Sequence, residues 1–163
     1  MKDRQTNGSG EMGKNAEKSF VSCMKANGRK IKPSTREQDI FEHWDFLLND
    51  EHRIEVKGRK RLHRHATSVS DDIIYVEFRN VRGDNGWIYG KADFIALERP
   101  DGFLIVQRIA LMRMAETLVQ NQWSTRPTLY KKYRRHDRPD ECVTVLSIND
   151  VLSLPHKLFR YQP

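Results

Sequence analysis

The chain has 163 residues, 37% of them hydrophobic, which is enough for one domain with a core and too few for two of ordinary size. Lys and Arg outnumber Asp and Glu by 29 to 22, a formal net charge of +7 that favours a polyanionic partner. No apolar run approaches the roughly 18 residues a membrane span requires, and the polar start MKDRQTNGSGEMGKN is unlike a signal sequence. The expectation is a cytoplasmic protein, nuclear if its host has a nucleus, with no membrane partner. Cys23 and Cys142 lie far apart and match no metal-ligand spacing, which reads as two reduced thiols.

Residues 1–13 carry Gly, Ser, Asn and charge without periodicity, and predict a disordered leader to a single domain over 14–163. From Ala16 to Asn27 the apolar residues Ala16, Phe20, Val21, Cys23 and Met24 recur at helical spacing, and Asn27-Gly28 supplies a stop. Residues 31–42 are polar, with a turn signal at Pro33-Ser34. Trp44, Phe46, Leu47 and Leu48 predict a first strand, joined by a tight connection at Asn49–Glu51 to a second, Arg53–Lys57. Ile73–Phe78, Ala92–Leu97 and Phe103–Val106 predict three more strands, the last two linked by a hairpin turn at Pro100-Asp101-Gly102. Leu111, Met114, Ala115, Leu118 and Val119 fall on one face of a helix over 110–122. A strand over Val143–Leu146 and a short helix over Asn149–Leu154 close the domain.

The chemistry concentrates in the first hairpin. Strand alternation puts Glu55 and Lys57 on one face and Ile54 and Val56 on the other, and the hairpin brings Asp45 beside Glu55. Two adjacent carboxylates repel unless a proton or a cation lies between them. Hard oxygen ligands of this number suit Mg²⁺ or Mn²⁺, which take their remaining ligands from water and a phosphate substrate. A lysine there can orient a water or offset charge building on phosphorus. The plainer alternative for an isolated E-x-K is an ion pair on a solvated hairpin face.

The stretch HWDFLLNDEHRIEVKG, residues 43–58, resembles the core signature of the PD-(D/E)xK nuclease superfamily, with an Asp opening one strand and E-x-K on the next. Trp44 stands where those proteins usually have proline. The resemblance implies a restriction-endonuclease-like α/β fold, a central mixed β-sheet flanked by helices, and metal-dependent hydrolysis of DNA phosphodiester bonds. It implies that Asp45 and Glu55 ligate Mg²⁺ or Mn²⁺ with the Val56 carbonyl, and that Lys57 orients the attacking water. Glu17, in AEKSFVSCMKANG, is the candidate for a further acid from the preceding helix, with Glu37 and Glu42 as competitors. More loosely, residues 75–97 are similar to phage-type members, which would put Glu77, Lys91 and Asp93 near the site. Asp93 and Glu77 each have a bland reading as well, a buried hydrogen-bonded carboxylate and a solvent-facing strand residue. His43 alternates with Asp45 and would share its face, placed to position a phosphate or a water.

Two basic runs follow, Lys57–His65 and Lys131–Arg138. Arg59, Lys60 and Arg61, next to the E-x-K strand, are the better candidates for DNA contact, with Lys131, Lys132, Arg134 and Arg135 interleaved with tyrosines as a second set. His63-x-His65 lacks a third soft ligand at zinc spacing. Duplex, junction, flap and single strand all stay open as substrates, as does a homodimer, which related resolvases commonly form. The other readings are a DNA- or partner-binding module without hydrolysis, and a nuclease acting on RNA.

Overall fold

Ala16, Phe20, Cys23 and Met24, spaced along one helix face, are all buried, and they fix the first element against a sheet. In the computed structural model, which describes residues 8–61 and 66–163, that helix is α1 (Gly8–Ala26). It begins well before Ala16, inside the stretch expected to be a disordered leader, because residues 8–15 hold no proline and continue the same turn pattern. It ends where the sequence predicts. Gly28 takes φ 71°, its N–H donates to the Lys25 carbonyl and that of Arg29 to the Met24 carbonyl, which satisfies the last carbonyls of the helix.

The chain then forms β1 (Ile31–Pro33), a π-helical turn (Gln38–Glu42), β2 (Phe46–Leu48) and β3 (His52–Lys57). Asn49 and Asp50, with φ 53° and 56°, make the expected tight hairpin between β2 and β3. Next come β4 (Lys60–Arg61), β5 (Val69–Ser70) and β6 (Ile73–Arg79), then a 3-10 turn (Trp87–Tyr89). β7 (Phe94–Arg99) and β8 (Gly102–Gln107) form the second predicted hairpin, followed by α2 (Arg108–Leu118). The remainder is β9 (Gln120–Ser124), β10 (Lys131–Tyr133), β11 (Cys142–Ser147), α3 (Ile148–Leu152) and β12 (His156–Arg160).

Six strands make the central sheet, in the order β1-β2-β3-β7-β8-β12, and the β3–β7 pair alone within it is parallel. It is thus a mixed sheet flanked by helices. One face carries Ile54, Val56, Ala96, Phe103 and Ile105 against α1. The other carries Ile95, Leu97, Leu104 and Val106 against α2, the 3-10 turn and a second sheet of four strands, β6-β11-β10-β9. Two expectations change here. Residues 120–122 leave the predicted helix for β9, since the Gln120 N–H pairs with the Tyr130 carbonyl. The Ile73–Phe78 strand joins the second sheet through β11 rather than the sheet holding Glu55. Edge strand β1 ends in Pro33, a position that needs no inward donor. α3 starts with a capping box between Ser147 and Asp150. Among the described residues no helix is long and apolar enough to cross a membrane.

Candidate active site

Asp45 stands one residue before β2, whose register sets Phe46 opposite Ile54, so Asp45 falls beside Glu55. Its backbone N–H donates to the Ile54 carbonyl at 2.8 Å. Its side chain turns to β3, where Oδ2 accepts the Val56 N–H at 2.7 Å. A strand residue aims its N–H and C=O at the same neighbour, so the Val56 carbonyl faces the Asp45 side of β3. Burial, then the nearby Glu55 carboxylate, push Asp45 up to about 8, against the pull of the Val56 N–H and of Lys57.

Glu55 is buried, and its register partner across the parallel ladder is Ile95. One carboxylate oxygen pairs with the Lys57 ammonium; the other, Oε2, is buried with no hydrogen-bond partner among the described residues. Burial disfavours the charge on Lys57, but Glu55, then Asp45 and Glu77, outweigh it and hold the ammonium above the usual lysine range. The ammonium also lies over the Trp87 ring, 5.1 Å from its centre.

Gly58, at the end of β3, lets α1 approach: a Cβ there would lie 3.1 Å from the Ala16 Cβ and 3.3 Å from the Met12 carbonyl oxygen. That close approach delivers Glu17, half-buried, into the field of Glu55 and Lys57. Burial, then Asp39 and Glu55, raise its carboxyl above the ordinary range. Glu42 is occupied elsewhere, accepting from the Trp44 indole N–H at 2.8 Å and pairing with Lys91 at 3.4 Å. Glu37, the residue just before the π-helical turn, is exposed. Of the three candidate acids, the fold brings Glu17 to the pair.

Glu77 reaches the same place from the other sheet. Burial raises its carboxyl, while Lys57, the Trp87 backbone N–H and His43 pull it back. The approach depends on Gly86, where a Cβ would stand 2.2 Å from the Glu77 carbonyl oxygen. His43 takes φ 54° over Gly90, where a Cβ would meet the His43 Cβ at 2.7 Å. Lys91 and Asp93 lie apart from this group. Lys91 is with Glu42, and Asp93 accepts from Arg53 three times: from Nη2 at 2.9 Å, Nε at 3.2 Å and the backbone N–H at 2.8 Å. Asp93 is thus a hydrogen-bonded carboxylate held by Arg53, half-buried rather than buried.

A cleft between the two sheets opens from Lys57, and His43, Lys60, Arg61, Arg99, Arg126 and Arg138 are on its walls. Four of its arginines are engaged: Arg59 holds Asp71 through two bonds of 2.6 Å, Arg135 pairs at 2.7 Å with buried Glu141, Arg99 donates to the Asp71 carbonyl at 2.7 Å, and Arg138 lies 3.7 Å from Asp137. Lys60 keeps an exposed surface. The cleft walls, then the like charges of Lys57 and Arg135, nevertheless lower its ammonium below the usual lysine range. Lys131, Lys132 and Arg134 stand outside the cleft, where Lys132 donates to Asn121 and Arg134 stacks 4.8 Å above Trp123. His63 and His65 lie outside the described residues. Trp87 and Asp39 belong to the group and were not foreseen; Trp87 sits in a turn-rich stretch, where nothing local marks a contact across two sheets.

Two carboxylates and a backbone carbonyl form a hard-oxygen donor set with one buried oxygen unmatched, which fits a divalent cation that completes its shell with water and phosphate. Among the described residues no three His, Cys, Asp or Glu side chains gather closely enough to hold a metal ion by themselves. Comparison with protein-family models, curated proteins and solved structures finds no match to this chain.

Proposed function

We propose that this chain is a metal-dependent DNA endonuclease with a restriction-endonuclease-like core, structure-selective or weakly sequence-specific, and similar to the PD-(D/E)xK nucleases. One observation carries the reading. The buried, unmatched Glu55 Oε2 sits beside an Asp45 carboxyl pushed up to about 8, a pair that wants positive charge which Lys57 alone does not complete. Asp45, Glu55 and the Val56 carbonyl would hold Mg²⁺ or Mn²⁺; when bound, that ion supplies Lewis acidity at the phosphate and an acidified water.

The chain's own residues do the rest. Lys57, tethered between Glu55 and the Trp87 ring, orients the attacking water or meets the charge growing on a phosphate oxygen. Glu17 and Glu77, whose carboxyls burial raises above the ordinary range, are the further acids set around Lys57 and the water it orients. His43, on the cleft wall, is placed for a phosphate oxygen. Lys60, Arg61 and Arg126 supply a cationic track along which the sugar-phosphate backbone runs.

The test is cleavage of labelled plasmid, linear duplex and four-way junction in Mg²⁺, Mn²⁺ or EDTA by wild type, Lys57→Ala and Asp45→Asn. Metal-dependent cleavage lost in both variants, with the fold retained by circular dichroism, supports the reading. Equal cleavage by the variants removes the site assignment. A second reading, a binding module on the same fold, is favoured by the closure of Lys57 onto Glu55; gel shifts in EDTA with no product in any metal would select it.

A further inference from the structure

The second sheet buries one face and leaves the other half open. Val76, Thr144 and Leu146 are buried, while Tyr75 and Glu77 on β6, Val143 on β11 and Tyr133 on β10 are half-buried and line the cleft. An antiparallel sheet with one solvated face alternates apolar residues inward with polar residues outward. Here the outward face keeps two tyrosines and a valine, a floor that is aromatic and apolar beneath a basic wall.

Register ties this floor to the site. Val143 pairs with Glu77 on one side and Tyr133 on the other, so the three form one row across β6, β11 and β10. Glu77 packs on Gly86, where a Cβ would stand 2.8 Å from the Glu77 Cγ, and the next residue, Trp87, carries the Lys57 ammonium over its ring. Two strand spacings, about 10 Å, separate Tyr133 from Glu77. That is the length of about three stacked nucleotides. Past Tyr133 the row reaches Ser124 on β9, and Arg126 follows on the cleft wall. The Arg126 loop is tied down, since Thr128 Oγ1 donates to the Arg126 carbonyl at 3.0 Å and lies 2.9 Å from Ser124 Oγ. The cleft measures about 1180 Å³, above the roughly 300–1,000 Å³ of a small-molecule pocket, which suits a length of polymer. A polymer that lays flat rings on such a floor and carries negative charge past Lys60, Arg61 and Arg126 is a nucleic-acid strand. An acidic peptide matches the wall but not the floor.

We propose that the cleft face of the second sheet is a platform for single-stranded nucleic acid, on which the Tyr133 ring stacks against a base within about three nucleotides of the phosphate engaged at Glu55 and Lys57. A base inside an undisturbed duplex has both faces covered and offers nothing to this ring; a single strand, a flap or an opened junction arm offers a free face. The proposal rests on the nucleic-acid reading of the cleft and narrows its substrate class.

The experiment measures binding in EDTA to a flap substrate in which one abasic site is moved a position at a time along the single-stranded arm, for wild type, Tyr133→Phe and Tyr133→Leu. A plain duplex is the comparison, and the cut is mapped in Mg²⁺. Wild type should favour the flap over the duplex and lose about tenfold in affinity when one base, within about three nucleotides of the cut, is removed. Tyr133→Phe should behave as wild type, and Tyr133→Leu should be about tenfold weaker on the intact flap and indifferent to that abasic position. 5-Iodouracil placed there and photocrosslinked to wild type should be recovered on Tyr133, a readout that needs no variant to fold. A flat abasic profile, a crosslink to another residue, or a duplex bound as tightly as the flap overturns the platform, while metal-dependent cleavage of plasmid by wild type leaves the nuclease reading standing. A position-specific loss with the crosslink on Tyr133 but no cleavage in any metal supports the platform and overturns the nuclease reading. Displacement of the flap by polyglutamate assigns the cleft to an acidic peptide and overturns the platform. A wild type that binds no nucleic acid and cuts none overturns both.

Discussion

Lys57 pairs with the buried Glu55 on the same strand face and is covered by the Trp87 ring. Removing one partner of such a pair leaves an uncompensated buried charge, on the order of 3 kcal/mol. Lys57→Ala should therefore lower stability by about that much, and Glu55→Gln combined with Lys57→Ala should cost clearly less than the two single changes added. Urea titration of the four proteins in EDTA measures the cycle. Strict additivity would mean that the two side chains act independently.

Asp45 makes the metal-free protein sensitive to pH. Its folded value, about 8, lies above its ordinary value of 3.8, so between these the unfolded chain has released a proton that the folded chain keeps. The contribution of this group is fully present below pH 3.8, declines as pH rises and is gone above about 8, at a limiting slope of about 1.4 kcal/mol per pH unit. Asp45→Asn keeps an acceptor for the Val56 N–H and cannot ionise. In EDTA its melting temperature should exceed that of wild type by more at pH 8 than at pH 5. A parallel shift at both values would remove Asp45 as the titrating group.

Divalent ions should reverse that ordering. Mn²⁺ raises the melting temperature of a protein that binds it only when folded, by mass action. Wild type at pH 8 should gain with increasing Mn²⁺, while Asp45→Asn and Glu55→Gln should gain little. Equal gains in all three would put the ion elsewhere.

The basic residues of the cleft divide into two classes. Lys60→Ala and Arg61→Ala should weaken DNA binding across sequences, each lowering the salt slope by about 1, with little change in stability. Arg135→Ala should do the opposite, because it strands Glu141, which is 4% exposed, and should cost about 3 kcal/mol. Salt-dependent fluorescence anisotropy beside chemical denaturation separates the classes. Stable Arg135→Ala protein would show that Glu141 finds another donor.

The hairpin bearing Asp45, Glu55 and Lys57 was legible because everything that places it is local: period-two alternation, an Asn-Asp turn and two strands joined at once. So were the turn at Pro100-Asp101 and the stop at Gly28. What was missed depends on the partner. β9, Gln120–Ser124, is exposed along most of its length and has no alternation to read, and β12 follows a proline that marks only a break. That Glu77 faces Lys57 from another sheet, that Asp93 is taken by Arg53, and that Asp39 approaches Glu17 are all consequences of tertiary closure between segments with no shared pattern.

Gly86 and Gly90 limit how far this sequence can diverge and still do the same work. Either one, given a side chain, collides with backbone or with His43, and the displaced neighbours are Glu77 and His43 rather than the Asp45, Glu55 and Lys57 hairpin. A descendant could thus keep an intact D…E-x-K strand pair, and look competent by that signature, after losing one wall of its cleft. On the nuclease reading, the two glycines on either side of the Trp87–Tyr89 turn shape the proposed site as much as its acids do.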